Sequence, residues 1–490
     1  MARFNRAKSP TVRQPVASVR NLAGGMAYEK SPKLELVGRL LSTFLQNTFY
    51  ESADAQLSSL VQVAHKVADP LFLAKASIYA RNTFGMRSAS HVVAAVVAKM
   101  IRDANARGIS KQPATGELWF KRYFDKIVAR PDDMVEIMSY FLAHYKKPIP
   151  NSLKKGFADA FGRFDAYQLA KYRCEGKDLT LRKLAKLVWP TITDKNRDAI
   201  AALWAGTLSS AGSTWESKLT QAGQTDNKAE AKTQAWKELV LEEKIAQFAL
   251  LRNLRNIESQ APEVIGKACE LLTRPSRIKD SKILPFRYYT AFKEVSDRRV
   301  RIALQDAFNL ALCNIPVLSG STLVAVDISG SMNGQPIEIG SLFAGALVKS
   351  QPIDLVVFQS WAKEVNTGGY ENAFQVAEAI QRESRGGTNF HAVYELLMKS
   401  RKAYDRVIFL SDGEAWQGYG AAQRSLDAYD KAKGKKTKMY FFDLAGHGTL
   451  QWQESRLFYV PGFSEKVFDL MAMMERETGD ILTEIDAVKI

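Results

Sequence analysis

Cysteine and histidine are scarce in this 490-residue chain, which has three Cys and five His. Cys174, Cys269 and Cys313 are scattered and odd in number, which argues against a disulfide framework and fits a reducing compartment. The histidines (His65, His91, His144, His391, His447) lack zinc-ligand spacing and read as structural or surface residues. No apolar run approaches the ~18 residues needed to span a bilayer. The opening stretch, residues 1–25, has no apolar segment of the kind a secretory signal requires. It is basic, contains Pro10 and Pro15, and is expected to be a flexible arm. Catalytic signatures are also missing: no GxxxxGK[ST] phosphate loop, no nucleophile elbow with an ordered Ser, His and Asp, and no paired carboxylates in a recognisable setting. The expectation is a cytoplasmic, monomeric non-enzyme that does not enter membranes.

Positive charge is what the chain does have, and it is unevenly placed. Totals of 68 Lys+Arg and 52 Asp+Glu give +16. Residues 318–490 hold 18 against 22, a net of −4, which leaves 50 against 30, or +20, in residues 1–317. A basic region of that size beside an acidic one points to a polyanion such as nucleic acid. An anionic membrane surface is the weaker option, since no lone basic amphipathic anchor stands out.

The patterning changes at the same place. Residues 26–317 read as a helical region, in which apolar residues recur three and four apart, as in Leu36, Leu40, Leu41 and Phe44 or Leu57, Leu60, Val61 and Ala64. Frequent breaks, such as Asp69-Pro70 and Pro131-Asp132-Asp133, suggest stacked helical hairpins, an α-solenoid; without a clean repeat period an irregular helical domain stays open. The polar stretch Thr214–Lys232 reads as a surface loop or exposed helix. Residues 318–490 alternate strands (322–327, 353–358, 407–412, 438–443) with helices (336–350, 371–383, 390–403, 419–433), the signature of a doubly wound α/β domain. Five lysines in 431–438 read as a solvated helix end before a strand, rather than as a nucleic-acid contact.

Asp327-Ile328-Ser329-Gly330-Ser331 follows the buried-type strand Thr322–Val326. Gly386-Gly387-Thr388 comes later, and then a second apolar strand ends at Ser411-Asp412. Two carboxylates and three hydroxyls form a hard-oxygen set, suited to a partly hydrated Mg²⁺ or another divalent cation at about 2.1 Å. In open α/β sheets, ligands gather at the carboxyl ends of strands, where both acids fall. The pattern resembles the metal-ion-dependent adhesion site of von Willebrand factor A domains. By that resemblance Asp327, Ser329, Ser331, Thr388 and Asp412 surround the cation, and a partner protein's carboxylate completes its shell.

A basic helical region followed by such a domain resembles the TROVE family of Ro-type proteins. Further likenesses are Phe44–Glu51, Tyr167-Gln-Leu-Ala-Lys171-Tyr172-Arg173 followed by Thr180–Leu184, Leu250–Leu254, and Leu284–Arg287. The resemblance covers roughly residues 26–480. It implies a ring of HEAT-like helical hairpins closed by the A domain. It further implies binding of small structured noncoding RNAs (Y RNAs) and of single-stranded 3′ ends of misfolded RNAs, in RNA quality control or as a tether for an exoribonuclease. One departure is Leu181, where animal members carry a His.

The leading RNA-contact candidates are Lys171 and Arg173 at one helix end, and Arg182, Lys183 and Lys186 in the next helix, for which Thr180 is the expected N-cap. Arg81 with Arg87, and Arg252 with Arg255, form a second rank whose alternative is pairing inside the fold. Tyr172, Phe120 and Tyr123 lie beside cations and are candidate base-stacking residues. The competing function is a Mg²⁺-dependent protein–protein adaptor using the A-domain site. Metal-dependent RNA hydrolysis is not supported, because too few acids surround the site for two-metal chemistry.

Overall fold

The computed structural model describes residues 17, 19–42, 53–106, 119–208, 219, 222–223, 227–383, 386–400, 402–417, 421–447, 449–461, 471 and 481–490. The block at 44–51 and most of 214–232 lie outside the described residues; within the latter, Lys228 begins a helix that runs to Leu241.

Between Pro32 and Ala311 the described chain is helical, and its helices are set by punctuation and apolar spacing. Pro70–Asn82 begins with Asp69, whose side chain accepts from the Phe72 amide at 3.0 Å, and with Pro70, which has no amide hydrogen to leave unsatisfied. Ser88–Ala106 buries every residue from Ala89 to Ala98, so it serves as a central rod. It packs against Ala53–Val67, Pro70–Asn82 and Pro131–Tyr145. Trp119–Lys126 lies close against Asn151–Phe161, and Gly156 permits the approach: a Cβ there would stand 2.5 Å from that of Phe124. Farther on, Gln247–Gln260 packs against Ile265–Leu272 and Pro285–Glu294, and Arg298–Ala311 packs against the same two helices.

A six-stranded sheet follows, built from β3 (Thr322–Asp327), β4 (Asp354–Phe358), β5 (Ala362–Val365), β6 (Arg406–Ser411), β7 (Lys438–Asp443) and β9 (Phe458–Pro461), in the order β5-β4-β3-β6-β7-β9. All neighbours are parallel except β5, which runs antiparallel to β4 on one edge. The four strands expected from apolar runs are the central ones. β3 and β6 are buried at every position, which is why they read as continuous hydrophobic runs. The two edge strands were not anticipated: β5 (Ala-Lys-Glu-Val) is half exposed, so its pattern is too polar to register. β4 and β6 flank β3 on opposite sides, so the strand order reverses there and a crevice opens at its carboxyl end.

A small antiparallel sheet joins the beginning of the chain to its end. β1 (Val19–Arg20) pairs with β2 (Met26–Glu29), and β2 pairs with β8 (Thr449–Leu450). Residues 19–25 are therefore a strand and turn, not part of a flexible arm. Asn21 holds the turn by donating from Nδ2 to the Ala415 carbonyl at 2.6 Å, while its Oδ1 accepts from the Gly25 amide at 2.7 Å. Helix Pro32–Ser42 packs against β9, and the C-terminal helix Ile481–Asp486 packs against Pro70–Asn82.

Candidate metal centre and nucleic-acid interface

The three segments of the hard-oxygen motif converge at the crevice. The Gly330 amide donates to the Gly386 carbonyl at 3.0 Å, which ties the loop after β3 to the one preceding Thr388. Asp327 ends β3, and Asp412 immediately follows β6. Asp327, Ser329, Ser331, Thr388 and Asp412 are all buried. Asp327 Oδ1 accepts from the Ser329 amide at 2.8 Å and Oδ2 from the Ser411 hydroxyl at 2.6 Å, so the loop's own first turn and the neighbouring strand aim this carboxylate. Ser329 Oγ and Ser331 Oγ are 3.3 Å apart. Burial, reinforced by the charge of Asp412, pushes the Asp327 carboxyl up to about 7, and burial also raises Asp412. Asp412 Oδ2 has no hydrogen-bond partner.

Two confined carboxylates that disfavour each other's charge, with one orphaned oxygen and three hydroxyls beside them, fit a hard divalent cation. Among the described residues no cluster of three or more His, Cys, Asp or Glu is placed to hold a metal, so any cation here would rest on the two carboxylates and the hydroxyls.

A buried polar chain lies behind this centre. His447 Nδ1 stands 2.9 Å from Glu414 Oε1, two residues beyond Asp412. Burial depresses the imidazole, but Glu414 and the nearby aspartates outweigh it and raise its pKa. Lys30 Nζ donates to the His447 carbonyl, to Tyr459 Oη at 2.9 Å and to Asp443 Oδ2 at 2.8 Å. The Ala23 amide donates to Glu414 Oε2 at 3.2 Å. The turn and strand at 19–29 are thus fastened to the loop that carries Asp412.

Four of the five leading cationic candidates lie together. Thr180 caps helix Leu181–Val188, its Oγ1 accepting from the Lys183 amide at 3.2 Å. Arg173, Arg182, Lys183 and Lys186 line one open cleft of about 450 Å³, together with Glu175, Thr180, Leu203, Gly206 and Leu208. Arg182 is held in place, with Nε donating to the Trp204 carbonyl at 3.0 Å and a terminal nitrogen to that of Ala205 at 3.2 Å. Arg173 donates to the Leu208 carbonyl and lies 3.3 Å from Glu175. Lys171 stands apart from the cleft, with its ammonium over the Tyr167 and Tyr172 rings. Leu181 is fully buried, so this position carries core packing.

The second rank divides. Arg81 requires correction: it is buried, and its Nε and a terminal nitrogen both engage Asp133 Oδ2, at 3.1 and 2.7 Å. Arg87 is half-buried and joins the same carboxylate at 3.1 Å, with Asp132 as a second partner. Arg81 thus staples its helix to Pro131–Tyr145, and Arg87 ties the connection before Ser88 to the same helix, the alternative their sequence context left open. Arg252 and Arg255 instead line a cleft of about 470 Å³ with Phe248, although Arg255 also pairs with Glu294 at 3.1 Å.

Of the aromatic candidates, Tyr123 is buried with its hydroxyl 2.8 Å from that of Ser77, and Tyr172 carries the Arg130 guanidinium over its ring. Tyr123 therefore cannot meet a base, whereas Phe120 and Tyr172 are half-buried. Sequence reasoning passed over Trp189, which stands 75% exposed at the end of the basic helix. A tryptophan between an amphipathic basic helix and Pro190 was the available signal. In the 431–438 segment, Lys433 donates to the Ser400 carbonyl at 2.7 Å and Lys435 pairs with Asp405, which ties that helix end to the fold.

Comparison with known proteins agrees with this architecture. The TROVE domain matches residues 26–211 and 207–409. The RNA-binding protein RO60 of Deinococcus radiodurans is 26% identical over 224 residues, 39% of this chain and 41% of that protein. Telomerase protein component 1 of Rattus norvegicus is 31% identical over 130 residues, 25% of this chain and 4% of that protein. The chain thus spans less than half the length of these curated relatives. The crystal structure of the Deinococcus radiodurans RO (RSR) protein superimposes with a TM-score of 0.62 at 18% identity, covering 91% of this chain and all of that one. With the family match running across both the helical region and most of the sheet, the chain belongs to the TROVE domain family.

Proposed function

We propose that this protein binds RNA through the basic helical region and does not cut it. The observation that carries the reading is the cleft formed by Arg173, Arg182, Lys183 and Lys186, which groups four cations from two segments on one open surface. Such a surface takes phosphate without reading sequence, and the family relationship supplies RNA as the polyanion. Small structured noncoding RNAs of the Y RNA kind, and unpaired 3′ ends of misfolded RNAs, are the proposed ligands. A closed ring of helices, fastened where β2 meets β8, would select strands with a free end by shape. Quality control of RNA, alone or as a tether for an exoribonuclease, is the proposed role.

A second function rests on a different observation, the orphaned Asp412 Oδ2 in the hard-oxygen centre. We infer that Asp327, Ser329, Ser331, Thr388 and Asp412 hold Mg²⁺ in a von Willebrand factor A-like domain, and that a partner's carboxylate is the natural additional ligand. The two functions occupy different parts of the chain and are compatible.

Native purification followed by sequencing of copurifying RNA tests the first reading. A discrete small structured RNA, or RNAs with unpaired 3′ tails, supports it. A preparation free of RNA, with no salt-dependent affinity for added RNA, overturns it and leaves the adaptor.

A further inference from the structure

Trp189 closes helix Leu181–Val188 in a conformation its sequence should avoid. Its φ of 57° and ψ of 81° lie in the left-handed region, which is rare for bulky residues, and the following Pro190 favours extended backbone instead. The strained cap turns the largest side chain of the segment into solvent at 75% exposure, where the Trp204 indole meets it edge-on, centroids 6.1 Å apart at 65°. A tryptophan free to find a core would have been sequestered, since full burial of a large apolar side chain is strongly favoured.

Its surroundings specify what covers it. Arg182 and Lys186 are four residues apart and so share one side of the helix, and Trp189 is the residue that ends that helix. The same Trp204 whose indole supports Trp189 accepts the Arg182 hydrogen bond through its carbonyl, which couples the aromatic platform to the cationic cleft. A neighbouring protein surface would have to bring carboxylates to Arg182 and Lys186 and an apolar patch to the indole. An unpaired nucleotide brings both complements in one unit, a phosphate and a π-face.

We propose that Trp189 is a stacking platform for an unpaired base of the RNA whose phosphates lie in the Arg182–Lys186 cleft. The proposal rests on the RNA-binding reading and adds a preference to it: this surface takes single-stranded or looped-out nucleotides in favour of continuous duplex.

The test compares fluorescence anisotropy of the full chain with a labelled single-stranded RNA of about 12 nucleotides and with an abasic chain of the same length. Trp189→Ala should weaken RNA binding about 5- to 150-fold, Trp189→Phe should keep most of it, and neither should alter the abasic chain. The salt slope should stay as in wild type, because no charge is removed. Equal binding of RNA by wild type and Trp189→Ala, or equal losses for both chains, overturns the stacking platform. If Lys183→Glu/Lys186→Glu weakens both chains while Trp189→Ala changes neither, RNA binding stands and the platform alone falls. If wild type binds neither chain at low salt, the RNA reading itself fails.

Discussion

Lys30 Nζ lies 2.8 Å from Asp443 Oδ2, an ion pair sealed from solvent between residues 413 positions apart. Burial alone would raise the Asp443 carboxyl, but the Lys30 charge and hydrogen bond, with the Tyr459 hydroxyl, outweigh it and hold the group below its ordinary range. The remaining oxygen accepts from the Ala445 and Gly446 amides at 3.0 and 2.6 Å. Every polar atom of the carboxylate is therefore used, which is the condition under which a buried charge is tolerated.

Lys30→Met should cost about 3–5 kcal/mol in chemical denaturation, because it strands a buried carboxylate. Adding Asp443→Asn should restore a large part of that loss, since the amide can still accept from the two backbone groups. A double variant as unstable as the single one would mean that Lys30 acts through packing and not through charge.

Asp133 predicts an acid-sensitive helical region. Burial raises its carboxyl, but His91 and Arg81 outweigh that and hold it far below the ordinary 3.8. A depressed folded-state value contributes stability that is complete above 3.8 and drains away as pH falls through the folded value. Asp133→Asn should therefore lower the melting temperature at neutral pH, where it leaves Arg81 buried without its carboxylate. It should also flatten the decline below pH 3.8 relative to wild type. Parallel acid limbs for the two proteins would assign the sensitivity elsewhere.

Lys183→Glu/Lys186→Glu should weaken RNA binding and reduce the slope of log K against log salt by at least about 1.4 units, near 0.7 per lost contact on single strands. Both side chains are exposed, so the melting temperature should move little. A full-strength slope in the double variant would place the phosphates on another surface.

The inferred metal centre has a thermal signature. Millimolar Mg²⁺ should raise the melting temperature of wild type, with about 2.7 kcal/mol of stabilisation at 100 times Kd. Asp412→Ala, which removes an inferred ligand, should abolish the response, and its RNA affinity in EDTA should match that of wild type. No shift with Mg²⁺ in wild type would rule out an accessible cation site.

Local pattern determined a large part of this protein. The apolar runs of β3, β4, β6 and β7 were legible because buried parallel strands need side chains that suit both faces, and Thr180 was legible as a cap because capping is decided within one helical turn. The positions of Asp327 and Asp412 followed from the strands that end beside them. Tertiary structure alone decided which cations face outward. Arg81 and Arg182 both sit at helix ends in basic sequence, yet one meets the Asp133 carboxylate across a helix packing and the other meets backbone carbonyls beside an open cleft. The same holds for Trp189, for the polar edge strand β5 and for Lys30, whose partner arrives with the last parallel strands. Propensity and periodicity are properties of neighbours along the chain, whereas desolvation and ion pairing depend on what folding brings near.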